Sequence, residues 1–66
     1  MNNKIRVARA EVRMTQQQLA EAVDVSRQTI NAIESGKFVP STVLALKIAR
    51  TFGKSVEDIF SLEDGD

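Results

Sequence analysis

Between Ser26 and Ile33, Arg27, Gln28, Thr29 and Asn31 supply hydrogen-bonding side chains interleaved with the apolar Ile30 and Ile33. A helix through this segment turns the two isoleucines to one side and leaves Arg27, Gln28, Thr29, Asn31 and Ala32 on the other. That outer face is polar but mostly uncharged. Bulk water is more usually met by Glu and Lys, whereas a guanidinium and two side-chain amides match the edges of base pairs. Arg donates bidentately to guanine, and Gln and Asn do so to adenine. Thr29 offers a hydroxyl to a phosphate or a methyl to thymine, or it helps to cap its own helix.

Other chemistries lack their side chains. The chain contains no cysteine and no histidine, which removes thiolate nucleophiles, disulfides, the commonest metal ligand and the commonest general base. The acids are scattered, and no nucleophile–base pair can be assembled from them. Neither an enzyme, a metal site, a cofactor nor a small-molecule ligand is expected. No signal peptide and no apolar run of membrane length is found, so a cytoplasmic location is the expectation. The 66 residues allow one small domain. A chain of this size buries only about 60% of its unfolded surface, which leaves it marginally stable alone. The zero net charge conceals an asymmetry. All nine basic groups fall in residues 1–56, against four acids, while residues 57–66 carry five acids and no base. Such a body binds a polyanion if the acidic end points elsewhere.

The elements that would hold the polar face are helices. Apolar residues recur at helical spacing, and alternating strand patterns are nearly absent. A first helix is expected from about Asn3 to about Val12, with Ile5, Ala8 and Val12 on one face. Thr15 and Gln18 form a capping-box pair at the start of a second, which buries Leu19, Ala20 and Val23. Ser26 caps a third, flanked by the staple pair Val25 and Ile30, and Gly36 stops it. A fourth begins near Ser41 or Thr42 and ends at Gly53, with Leu44, Ala45, Ile48, Ala49 and Phe52 on one arc. A fifth, of one or two turns, is capped by Ser55 and carries Val56, Ile59 and Phe60. The last six residues, 61–66, read as frayed or extended.

Only Asp24 and Val25 separate the second helix from the Ser26 cap. So short a link forces two helices to cross steeply rather than fold back, and the small Ala20 permits the close approach. The stretch Thr15–Gly36 (TQQQLAEAVDVSRQTINAIESG), followed by Pro40-Ser41, by Leu46-Lys47-Ile48-Ala49 and by Ser55-Val56-Glu57-Asp58-Ile59-Phe60, resembles the Cro/CI-type (Xre, lambda-repressor-like) helix-turn-helix family. The resemblance spans roughly residues 4–60. Each short motif is common, but the ordered set at this spacing is specific. It implies an all-α, compact five-helix DNA-binding domain over residues 1–66, with a core of about 4–60 and a short acidic tail. It also implies that the domain binds double-stranded DNA, usually as a dimer, and usually represses transcription.

Carried onto this chain, the resemblance places the third helix in the major groove, with base contacts from Arg27, Gln28, Asn31 and Thr29. It places Gln16, Thr15, Ser35, Lys37 and Ser41 against the phosphate backbone, with Thr15 serving chiefly as a cap. It reads Arg9 and Glu34 as a structural ion pair joining the first helix to the end of the third. Two positions depart from the family pattern. Asp24 stands where the family most often has Gly in the turn, and Arg13 stands where it favours Gly near the end of the first helix. Apolar residues in the C-terminal part exceed what one small core absorbs. A homodimer through Val56, Phe60 and Leu62 is therefore expected, with Val43 as an outlying candidate. An alternative reading is an antitoxin-type or protein-interaction module of the same fold, with DNA binding secondary.

Overall fold

Four oxygen-bearing side chains open four of the five helices. In the computed structural model, which describes residues 1–66, Thr15, Ser26, Ser41 and Ser55 each accept a hydrogen bond from the backbone N–H three residues on, at 3.0–3.2 Å. The helices they start are α2 (Gln16–Val23), α3 (Arg27–Glu34), α4 (Thr42–Thr51) and α5 (Val56–Ile59). Two caps are reciprocal. Gln18 Oε1 accepts from Thr15 N at 2.9 Å, and Asp58 Oδ2 accepts from Ser55 N at 3.0 Å. An N-cap of this kind satisfies backbone donors that a helix start otherwise leaves unpaired. The first helix, α1 (Ile5–Glu11), has no side-chain cap from the residue before it.

Four helices also share one way of stopping. After α1, α2, α3 and α4, the residues Arg13, Asp24, Gly36 and Gly53 take positive φ angles of 55, 60, 78 and 64°. In each case the next residue's N–H reaches back five positions to a helix carbonyl. These bonds are Met14 to Arg9, Val25 to Ala20, Lys37 to Ala32 and Lys54 to Ala49, at 2.9–3.0 Å. This is the left-handed helix ending for which glycine is the usual residue. Both departures from the family pattern, Arg13 and Asp24, therefore fall on left-handed backbone.

The core gathers the inner stripe of every helix: Ile5 and Ala8 from α1, Leu19, Ala20 and Val23 from α2, Ile30 and Ile33 from α3, and Leu44, Ala45, Ile48 and Ala49 from α4. Ile59 and Phe60 complete it. Each fully buried isoleucine contributes about 2–3 kcal/mol. Ala20 is completely buried where α2 meets its neighbours. Phe52, expected on the core arc of α4, is half-buried and packs against the core from the residue just past the helix.

Three expectations at the ends of the chain are corrected, the last of them in part. Asn3 does not begin α1; Asn2–Asn3 form a short strand β1, paired antiparallel with β2 (Phe60–Ser61), Asn2 opposite Ser61 and Asn3 opposite Phe60. Val12 is 55% exposed rather than inward, because α1 stops at Glu11 and the chain turns toward Arg13. Of residues 61–66, expected to be frayed or extended, Ser61 is extended strand in β2, and the rest is held rather than frayed. Glu63 N donates to Asp66 Oδ2 at 2.7 Å, and the Met1 ammonium sits 2.9 Å from Glu63 and 3.2 Å from Asp66. Lys4 N donates to Ile59 O at 2.7 Å, so the start of α1 is stitched to the end of α5.

Candidate nucleic-acid interface

The α2–α3 corner turns on Asp24, whose left-handed backbone redirects the chain within three residues. Ser26 then fixes the first turn of α3. Its Oγ accepts from Thr29 N at 3.1 Å and lies 2.9 Å from Thr29 Oγ1. With Ile30 and Ile33 locked in the core, the helical period leaves Arg27, Gln28 and Asn31 exposed on one face. Thr29 is half-buried, and its hydroxyl is engaged with Ser26. Of the four residues assigned to bases, three therefore present free polar groups, while Thr29 acts at the cap.

The only acid of α3 is withdrawn from this face. Glu34 has a side chain 2% exposed and accepts two bonds from Arg9, from Nε to Oε2 at 2.7 Å and from Nη2 to Oε1 at 3.0 Å. Arg9 is itself 15% exposed, and its Nη1 donates to Met14 O at 2.9 Å. The bidentate carboxylate raises the Arg9 pKa above its already high ordinary value, against the opposing effect of burial, so this guanidinium stays charged. Arg6 Nε lies 3.8 Å from Glu34 Oε1 at the solvent edge, with most of its side chain exposed. The pair closes α1 onto the end of α3 and leaves the outer face of α3 with a positive charge and no negative one.

Gln16, the first residue of α2, is half-buried, and its Nε2 donates to Glu34 Oε1 at 3.3 Å. One amide proton is committed there. The second, and the backbone N–H of a helix start, remain to meet an anion. The hydroxyls differ in the same respect. Thr15 and Ser41 accept at their caps through oxygen and keep their protons for donation, whereas Ser35 Oγ donates to Ala32 O at 3.2 Å. A phosphate contact from the Ser35 hydroxyl requires that bond to be exchanged. Lys37 is exposed and follows the left-handed Gly36, where its backbone N–H ties back to Ala32 O.

Asn3 is a positioning residue that composition and spacing did not mark. Its Nδ2 donates to Ile33 O at 2.8 Å from 30 residues away, a second donor on a carbonyl at the end of α3 that Gly36 N also reaches at 3.1 Å. No local pattern signals such a contact, because it depends on the packing of the chain's first residues against its last ones, through the β1–β2 pairing and the Lys4 N–Ile59 O bond.

Among the residues assigned to a subunit interface, Phe60 is corrected. It is 6% exposed, packs in the core and lies in β2. A ring buried in its own domain has no surface left for a partner. Val56 is half-buried, while Leu62 and Val43 are exposed.

Known proteins share this arrangement. The helix-turn-helix family model matches residues 5–59. An uncharacterized HTH-type transcriptional regulator of Methanocaldococcus jannaschii is 53% identical over 66 residues, covering 100% of both chains. YgzD, an uncharacterized HTH-type transcriptional regulator of Bacillus subtilis, is 48% identical over 64 residues and 97% of each chain. Among solved structures, the clp gene regulator ClgR from Corynebacterium glutamicum superposes with a TM-score of 0.77 at 33% identity. That match covers 82% of this chain, which spans 57% of the ClgR chain.

Proposed function

The chain belongs to the helix-turn-helix family, of the Cro/CI type, and from that membership we propose that it is a sequence-specific regulator of transcription, acting as a repressor. In this reading residues 1–66 work as one DNA-binding domain in the cytoplasm. Two copies bind a palindromic operator, each laying α3 in the major groove. Arg27, Gln28 and Asn31 read base edges. Gln16, Thr15, Ser41 and Lys37 hold the phosphates on either side, and Ser35 joins them only if its hydroxyl is released from Ala32. The observation that carries the reading is the outer face of α3: three exposed hydrogen-bonding side chains, with the helix's one carboxylate turned inward and neutralised by Arg9. The relatives, which are transcriptional regulators rather than enzymes, support it.

Selection of bound fragments from random duplex DNA tests the proposal. The expected result is enrichment of an inverted repeat with half-sites about 10 base pairs apart, the spacing at which two recognition helices meet the same face of the duplex. Affinity for the selected site is expected to fall steeply with salt, with a log–log slope of about −0.9 for each phosphate neutralised. Recovery of no preferred sequence, or binding indifferent to salt, would overturn it.

A further inference from the structure

We propose that the homodimer is closed by exchange of C-terminal segments: Leu62 of each copy, with Glu63 and Asp64 beside it, docks into the apolar groove between α4 and α5 of the other. The inference rests on the dimer reading above and specifies its interface. The groove is shallow and open to solvent, with a volume of about 880 Å³. Val43, Leu46 and Val56 form its apolar wall, and the first two are 62% and 55% exposed. Lys47, Arg50 and Lys54 line it as well, and no acid does. An occupant must therefore present an apolar side chain with negative charge next to it.

Two exposed large apolar residues stand beside an acid, Val12 after Glu11 and Leu62 before Glu63, but Arg9 and Arg13 flank Val12, so only the Leu62 segment is purely acidic. Leu62 is 77% exposed, the most exposed large apolar residue in the molecule. It is followed by Glu63, Asp64 and Asp66, with no base anywhere in residues 57–66. The segment is also pre-shaped. Ser61 is paired to Asn2 on one side of Leu62, and the Glu63–Asp66 turn closes on itself on the other. A side chain held outward between two fixed points loses little freedom on docking. Leu62 cannot fill its own groove while β2 is paired with β1, and none of residues 60–66 lines that groove. A second copy supplies the same segment, and two-fold symmetry lets each copy give a tail and receive one. Glu63 and Asp66 face the Met1 ammonium in the free chain, whereas Asp64 has no ion-pair partner there.

Sedimentation equilibrium on the full chain, with two exposed-site variants, tests the exchange. Leu62→Ser removes the knob and Leu46→Asp spoils the groove. Matching circular-dichroism melts verify that both fold. The expected result is a wild-type dimer, with each variant alone associating at least tenfold more weakly. Differently labelled copies of the two variants, mixed, are expected to form heterodimers in preference to either homodimer. Only the mixed pair has one intact groove facing one intact tail. A wild-type chain that stays monomeric at high micromolar concentration and on operator DNA would overturn the dimer reading and this inference with it. A wild-type dimer unaffected by Leu62→Ser, or a mixture with no heterodimer preference, would overturn the exchange and leave the dimer standing.

Discussion

With 2% of its side chain exposed, the Glu34 carboxylate depends on Arg9 for its charge balance, and Arg9 depends on it in turn. Removing one member of a buried pair costs about 3–5 kcal/mol. The lower end suits a guanidinium that still touches solvent. Since 1 kcal/mol moves the Tm of so small a domain by about 4–8 °C, Glu34→Ala is expected to lower Tm by more than about 10 °C in calorimetry. Arg27→Ala, on the exposed face of α3, is expected to stay within about 0.5 kcal/mol of wild type. Equal shifts would contradict the structural assignment. Binding separates two other residues. Gln28→Ala is expected to relax sequence preference at one or two positions per half-site, read by repeated selection. Lys37→Ala is expected to weaken all sequences alike and to flatten the salt slope by about one phosphate. The exposure of Arg27, Gln28 and Asn31 was legible in the sequence, because a mostly uncharged polar face on a helix with two inward isoleucines is a local pattern, whereas the Arg9–Glu34 pair was expected only from the family resemblance. Asn3, which holds the end of α3, was not legible, since its contact is made across 30 residues. The commitments of the Ser35 and Thr29 hydroxyls were not legible either, because composition does not say which partner a hydroxyl chooses.

Each helix of this chain is bounded by devices that act over a few residues, and those are the parts that sequence patterns disclose. Thr15, Ser26, Ser41 and Ser55 were readable as starts because an N-cap oxygen needs only the N–H three positions on. The β1–β2 ladder was not, because strands of two residues show no periodicity and exist only where the chain ends meet. The same ladder took Phe60 out of α5 and into the core. The left-handed endings make a graded prediction. At Gly36 a Cβ would meet nothing within 4 Å, so Gly36→Ala is charged with backbone strain alone. A loss of about 1 kcal/mol is expected in denaturant titration. Arg13→Gly removes the same strain from an exposed position and is expected to raise stability; a loss there would show that the Arg13 side chain earns its place by contacts. The Ser55–Asp58 cap adds a pH signature. Hydrogen bonds from Ser55, first the backbone N–H and then the hydroxyl, hold the Asp58 carboxyl below its ordinary value, with Lys54 and Lys4 adding to the effect. An acid lowered in the folded state stabilises above its unfolded value of about 3.9 and ceases to do so as pH falls through the lowered one. Melts of wild type and Asp58→Asn are therefore expected to differ most at neutral pH and to converge in strong acid. A gap that persists there would assign the effect to shape rather than charge.

A molecule measuring 32 × 22 × 20 Å is no longer than about one turn of the duplex, so in the proposed reading one copy would lay a single α3 against a single groove face. One short helix reads only a few base pairs, and useful discrimination asks for a second copy. Stability points the same way. A 66-residue chain with no disulfide and no metal cluster has only its own small core, and association is a further way to cover apolar surface. Val43, Leu46 and Leu62 lie open on this one. Folding coupled to dimerisation makes the melting temperature depend on concentration. Each tenfold increase adds about 1.4 kcal/mol per dimer by mass action, or about 0.7 kcal/mol per chain, and hence about 3–6 °C in Tm. Melts over a hundredfold range of concentration are expected to climb by that step per decade. The climb is expected to shrink in high salt, where contacts between the acidic tail and Lys47, Arg50 and Lys54 are screened. A Tm independent of concentration would mean that the chain folds as a monomer and does not pair in free solution.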